Sequence, residues 1–164
     1  MRVCLVCSGN ICRSPSAEVV LRRQLAGAGL SDLVVVSSSG TGDWHVGEPM
    51  DPRAAGALAR RGYPTGHRAR EFDPADLDEL DLVVAMDRGH LRYLRRLAGE
   101  GPAASRVRLL REFDPGARDD LDVPDPYFGG PDGFERVLDL IEAGCAGLTE
   151  YLRHLLASGS AAAG

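Results

Sequence analysis

Lysine is absent from this chain of 164 residues: all 19 basic residues are arginine. That excludes chemistry routed through a Schiff-base lysine, such as pyridoxal-phosphate catalysis and amine-type aldolases. It also excludes a nucleotide loop of the GxxxxGK[ST] kind, whose lysine reaches the phosphates. With Ala and Gly also abundant, codon bias in a GC-rich genome accounts for most of the arginines. Long apolar runs are missing too. Nothing approaches the roughly 18 residues of a membrane-spanning helix, and the run at residues 3–7 is too short for the apolar region of a signal peptide. The expectation is a soluble, cytoplasmic monomer with no membrane partner, signal-less export being left open. Four cysteines are too few for a disulfide scaffold. A net charge of -5 lacks the basic footprint of a nucleic-acid binder.

What is there is ordinary for one domain: 44% hydrophobic and 26% charged residues. A chain of this length buries roughly 68–70% of the surface its unfolded form exposes. Residues 2–6 read as a short buried strand and residues 7–13 as a loop holding Gly9 and Asn10. A helical pattern follows over residues 16–28, with Ser14 as its cap, Pro15 at the first helical position and Glu18 in the first turn. Residues 33–37 read as a second strand, 40–52 as a loop, and 53–61 as a helix ended by Gly62. Residues 82–86 form a buried strand, 87–97 a helix, and 107–110 a fourth strand, before a loop rich in Asp, Pro and Gly over 113–133. Phe134, Val137, Leu138, Ile141, Cys145, Leu148, Leu152 and Leu155 then recur at helical steps. The domain is expected over residues 1–156, and 157–164 as a frayed tail. Strands alternating with helices indicate an α/β fold, a parallel sheet covered on both faces.

The chemistry sits between the first strand and the first helix, where α/β folds make anion sites. The loop reads Cys7, Ser8, Gly9, Asn10, Ile11, Cys12, Arg13, followed by Ser14. Such a loop can curl so that its N–H groups face one oxyanion, Gly9 and Asn10 tolerating the left-handed conformations required. Arg13 supplies a planar fork for two phosphate oxygens. Helix dipole, N–H groups and Arg13 together favour Cys7 as thiolate, and Ser14 can donate a hydrogen bond to it. A nucleophile beneath a tetrahedral anion site suits phosphoryl transfer through a cysteinyl phosphate. Cys4, Cys7 and Cys12 lack a second ligand cluster at zinc spacing, so neither a metal nor a cofactor is expected. An aryl leaving group also needs a proton donor, and the loop at 122–127 offers Asp122 and Asp125, the latter between stiffening prolines.

The stretch CSGNICRSP resembles the active-site signature of low-molecular-weight protein tyrosine phosphatases. The resemblance extends over nearly the whole chain: Ser39-Gly40, Asp43-Trp44, His67-Arg68-Ala69-Arg70, Met86-Asp87 and Asp125-Pro126-Tyr127. It implies a four-stranded parallel sheet with helices on both faces. It also implies hydrolysis of phosphotyrosine in proteins, with Cys7 as nucleophile, Arg13 as phosphate clamp and Asp125 as general acid and then base. An acidic optimum follows, because Asp125 must start protonated while Cys7 is a thiolate. By the same resemblance Asn10, Ser14, Ser39 and His67 hold the phosphate loop, and Trp44 and Tyr127, with Phe128, line a slot for a flat aryl phosphate. Cys12 would guard Cys7 by forming a disulfide with it. Cys4 and Cys145 read as core. His90 stands where the family often has Asn, with no consequence drawn, and Phe128 replaces a frequent second Tyr.

Three rivals remain. A thiol-linked arsenate reductase shares the phosphate loop but needs resolving cysteines after the third strand, and residues 82–90 contain none. A protein-arginine phosphatase carries Thr after the loop Asn, where this chain has the apolar Ile11. A non-catalytic phosphotyrosine-binding module would be expected to lose Cys7, Arg13 or Asp125, and all three are present.

Overall fold

The first strand is apolar on both faces because it lies in the middle of the molecule. In the computed structural model, which describes residues 1–161, β1 spans Arg2–Cys7 and alternates between two cores. Val3, Leu5 and Cys7 join one cluster, and Cys4 and Val6 the other. β1 pairs in parallel with β2 (Val35–Gly40) on one side and β3 (Leu82–Ala85) on the other. β4 (Val107–Leu109) completes the sheet in the order β2-β1-β3-β4. The winding reverses at β1, and the crevice at its carboxyl end is where such open sheets place ligands.

On one face lie α1 (Arg13–Gly27), α2 (Pro52–Arg60) and α6 (Pro131–Ala161); on the other lies α4 (Arg88–Ala98). Two four-residue helices, α3 (Asp76–Glu79) and α5 (Pro102–Ser105), and a 3₁₀ turn at Leu110–Glu112 fill connections read as irregular from sequence. The large core is built on Leu5, Leu21, Leu58, Leu148 and Ile141, all fully buried, each contributing about 1.5–3 kcal/mol relative to exposure. Gly147 of α6 lets that helix touch the chain after β4, since a Cβ there would stand 1.7 Å from the Phe113 carbonyl oxygen. Arg61 forks onto Glu135, Asp139 and Glu142 of α6 and ties it to the end of α2.

Several boundaries differ from the sequence reading. β2 runs over Val35–Gly40 rather than 33–37: Leu33 is exposed, and pairing with β1 carries the strand through the polar Ser37, Ser38 and Ser39. α2 begins at Pro52 because the Asp51 carboxylate caps it, accepting from Arg53 N at 2.8 Å. α1 starts at Arg13, so neither Ser14 nor Glu18 does what was expected: Cys12 is the cap residue, and Glu18 accepts from the Ser38 hydroxyl. α6 has its first seven apolar positions buried, but Leu155 is 40% exposed, and it is the neighbouring Leu156 that packs against the core. It continues to Ala161 rather than fraying from 157, and residues 162–164 of the expected tail lie outside the described residues.

Candidate active site

Cys7 ends β1 and Arg13 opens α1, so the intervening residues must turn sharply within one strand-to-helix step. Asn10 makes the turn with φ 56°, while Gly9 stays out of the left-handed region. Gly9 is small for another reason: a Cβ would approach the His45 ring to 2.7 Å. Gly40 packs beneath the turn, where a Cβ would stand 2.5 Å from the Ser8 carbonyl oxygen.

The loop is turned inside out relative to ordinary chain. Its carbonyls point outward and are taken by donors: Cys7 O by Thr41 N at 2.8 Å, Ser8 O by Gly42 N at 3.2 Å, Ile11 O by Asp51 N at 2.9 Å and Cys12 O by Ser16 N at 3.2 Å. Asn10 O accepts from His67 Nε2 at 2.7 Å, which fixes the proton on that ring nitrogen. The N–H groups of Gly9, Asn10, Ile11 and Cys12, by contrast, donate to nothing among the described residues. With the amino end of α1 they form a cup of unpartnered donors, the geometry that binds tetrahedral anions.

Buried side chains hold this shape. The fully buried Asn10 is the hub: Nδ2 donates to Ser14 Oγ and Ser38 Oγ, both at 2.9 Å, and Oδ1 accepts from Arg70 N at 3.0 Å. Ser14 Oγ lies 3.0 Å from Cys7 Sγ. With one lone pair engaged by Asn10, the Ser14 hydroxyl has one proton to give and two acceptors in reach, the Cys7 sulfur and Ser39 O at 3.3 Å. Ser39 reaches the loop through its backbone rather than its hydroxyl. The hydroxyl bonded to Asn10 is that of Ser38; Ser39 turns its own to Cys4 Sγ, at 3.3 Å, and offers Ser14 only its carbonyl. Burial pushes the Cys4 thiol up from its ordinary value.

Arg13 is 3% exposed. Its Nη1 donates to Asp87 Oδ2 at 2.8 Å and to Val123 O at 3.0 Å, and its Nη2 lies 3.5 Å from Asp125 Oδ2. Burial works against ionisation of Asp87, but bonds from His90 N and Arg13 outweigh it and hold the carboxyl below its ordinary range. Of the two candidate acids, Asp125 lines the cleft above Cys7, whereas Asp122 accepts from Arg88 N at the start of α4. The cleft measures about 340 Å³, with Ile11, Cys12, Trp44 and Tyr127 among its walls. Trp44 and Phe128 are 68% and 91% exposed, forming a rim rather than a buried wall. Burial pushes the Cys12 thiol up to about 12, and both Cys7 and Cys12 are free.

The model of the family described as low molecular weight phosphotyrosine protein phosphatase matches residues 2–157. The chain belongs to that family. It is 56% identical over 153 residues to a low molecular weight protein-tyrosine-phosphatase of Streptomyces coelicolor, covering 93% of each chain. It is 49% identical to low molecular weight protein-tyrosine phosphatase A of Mycobacterium tuberculosis, covering 96% of this chain and 94% of the other. A crystal structure of a protein tyrosine phosphatase from Entamoeba histolytica superposes with a TM-score of 0.89 at 32% identity, covering 94% and 97% of the two chains.

Two histidines beside the loop are missing from the sequence reading of the site. His90 is buried, with Nε2 2.9 Å from Ser8 Oγ and its backbone N donating to Asp87 Oδ1 at 3.0 Å. His90 Nδ1 lies 3.1 Å from the same carboxylate oxygen but off the line of a hydrogen bond. Burial pushes the imidazole down to about 4 despite the neighbouring Asp87. His90 and Asp87 thus link Ser8 in the loop to the Arg13 guanidinium. His45, beside Gly9 and 6.4 Å from the Tyr127 ring, was not foreseen either.

Proposed function

We propose that this chain hydrolyses phosphotyrosine in proteins, and small aryl phosphates, through a cysteinyl phosphate on Cys7. The observation that carries the proposal is the inverted loop: outward carbonyls bonded, inward N–H groups free, and Cys7 Sγ beneath them beside Arg13. Three phosphoryl oxygens would take the N–H groups of residues 9–12 and the Arg13 fork, which leaves Asp125 for the phosphate as substrate arrives. The Cys7 thiolate attacks phosphorus while Asp125 gives its proton to the departing phenol oxygen, and the P–O bond breaks. The Asp125 carboxylate then takes a proton from water, whose oxygen displaces sulfur and releases inorganic phosphate and thiolate. Ile11, 8% exposed in the cleft wall, together with Trp44 and Tyr127, favours a flat aryl group over a guanidinium.

Turnover of p-nitrophenyl phosphate and of a phosphotyrosyl peptide is expected to persist in excess chelator and to fall about 10⁴-fold or more in Cys7→Ser. Activity that depends on added metal, or that survives that substitution, contradicts the proposal. Cys12 would serve as redox guard. Peroxide converts the Cys7 thiolate to sulfenic acid, and the Cys12 thiol condenses with it to a disulfide, releasing water. Thiol treatment after peroxide should restore the parent and fail to restore Cys12→Ala; equal recovery removes that role.

A further inference from the structure

Arg53, in the first turn of α2, lies outside both the phosphate loop and the loop of the general acid, yet it touches the chain on both sides of the cleft. Its fork is locked onto Asp51, with Nε to Oδ1 at 3.1 Å and Nη2 to Oδ2 at 2.9 Å. Asp51 is buried, and its backbone N–H donates to Ile11 O of the phosphate loop at 2.9 Å. The remaining arm, Nη1, donates to the Tyr127 carbonyl at 2.9 Å. Its guanidinium carbon stands 5.3 Å from the Tyr127 ring centroid and 4.8 Å from that of Phe134 at the start of α6. The other end of the same residue reaches the acid: Tyr127 N donates to Asp125 Oδ1 at 3.1 Å.

We propose that Arg53 is the positioning residue of the general acid, strapping the Asp125 loop to the phosphate loop through Asp51 on one side and the Tyr127 peptide on the other. This rests on the reading of Asp125 as proton donor. The side chain of Asp125 is 45% exposed, and in the resting site its other oxygen faces Arg13. Once Arg13 turns to phosphate, the Tyr127 N–H holds the carboxyl and Arg53 holds Tyr127. A bidentate anchor and two ring faces fix the guanidinium, and a planar fork does this where a single ammonium cannot. Arg53 touches neither Cys7 nor Asp125, so its effect is on where the proton donor stands, and misplacement by about 1 Å costs on the order of 100-fold.

The test compares kcat/KM for phenyl phosphate with that for p-nitrophenyl phosphate in the parent, Arg53→Ala, Arg53→Lys and Asp125→Asn. Phenol is the poorer leaving group and needs the proton; p-nitrophenol needs it far less. In Arg53→Ala we expect a loss of about 10–100-fold on phenyl phosphate against about 3-fold on p-nitrophenyl phosphate, with inhibition by inorganic phosphate within about 2-fold of the parent. Arg53→Lys, which keeps one donor for the Tyr127 carbonyl, should lie between. If both Arg53 variants lose activity equally on the two substrates, the strap proposal is overturned even though the enzyme is impaired. If Asp125→Asn shows no extra loss on phenyl phosphate, the general-acid reading itself fails and takes the strap with it. A steep Asp125→Asn with flat Arg53 variants therefore isolates failure of the strap alone.

Discussion

Residues 7–14 and residues 122–130 face one another across the same cleft and are held in contrasting ways. In the phosphate loop the holding groups are buried, and Asn10 alone makes three side-chain hydrogen bonds and one through its carbonyl. The acid loop is exposed at Pro124, Asp125 and Phe128; Asp122 and Val123 are tied to Arg88, Arg111, Met86 and Arg13, but beyond them the polar ties to the rest of the chain among the described residues are the Asp125 ion pair with Arg13 and the Tyr127 carbonyl to Arg53. The difference suits the roles proposed for the two sides. An anion cup works by having its dipoles aligned before the charge arrives, so its strain is offset in the folded core. A proton donor must let a bulky protein substrate in and product out, which an exposed, lightly held loop allows.

The contrast predicts that stability and activity separate across the cleft. Asp125→Asn should lower kcat/KM on aryl phosphates by about 10²–10⁴-fold and shift the melting temperature by less than about 2 °C. A large stability loss there would mean the acid loop is structural. Asn10→Ala should do more to the fold: it leaves the buried hydroxyls of Ser14 and Ser38 short of a partner and puts a Cβ-bearing residue without a side-chain amide at φ 56°. The expected cost is about 3 kcal/mol, or roughly 5–10 °C in melting temperature, with activity lost as the loop relaxes. Asn10→Gly, which accepts the backbone and loses only the bonds, should fall between; if it melts like Asn10→Ala, backbone strain plays no part.

A further effect, spread over a range of pH, sharpens the comparison at the seam between the two loops. His90 titrates near 4 in the folded protein against an ordinary value of 6.5, so between those values the unfolded chain binds the extra proton. Stability is then fully present above pH 6.5 and declines as pH falls toward 4, by on the order of 3 kcal/mol at most. Asp87, Arg13, Asp125 and Asp122 face the ring, and Asp87, held below its ordinary range, adds its own loss only at still lower pH. Melting curves of His90→Asn should be flatter than the parent across pH 4 to 6.5. Parallel curves would show that the imidazole is not held neutral.

The parts of the site legible in the sequence were those fixed by covalent order. Cys7, Arg13 and the turn at Asn10 follow from a strand, a tight loop and a helix in succession, and the Asp-Pro-Tyr segment marks the acid loop by its stiffness. What escaped was decided by register and pleat. Ser38 and Ser39 are adjacent hydroxyls on a strand, and the pleat sends them to opposite faces. Ser38 faces Asn10, and Ser39 faces Cys4. With β2 ended at residue 37 in the sequence reading, nothing distinguished them. His90 and Asp87 cap and open α4, far along the chain from Ser8, and only the β1–β3 pairing brings them to the phosphate loop. The sequence pattern starts this helix at Arg53; the fork onto Asp51 depends on Asp51, rather than Pro52, being the residue before the first turn. The absence of lysine gains a meaning here, since Arg13 spreads its guanidinium over Asp87, Val123 and Asp125, and Arg53 forks onto Asp51 against two rings, geometries that an ammonium does not reproduce.

The most direct test of the account is to mix Asp125→Ala with an aryl phosphate of a good leaving group, quench within the first turnovers, and measure the mass of the peptide that carries Cys7. Without the base that activates water, the intermediate should accumulate, and a single phosphoryl group should be found on Cys7. An unmodified Cys7 peptide alongside a burst of released phenol would contradict the cysteinyl phosphate and with it the role assigned to the anion cup.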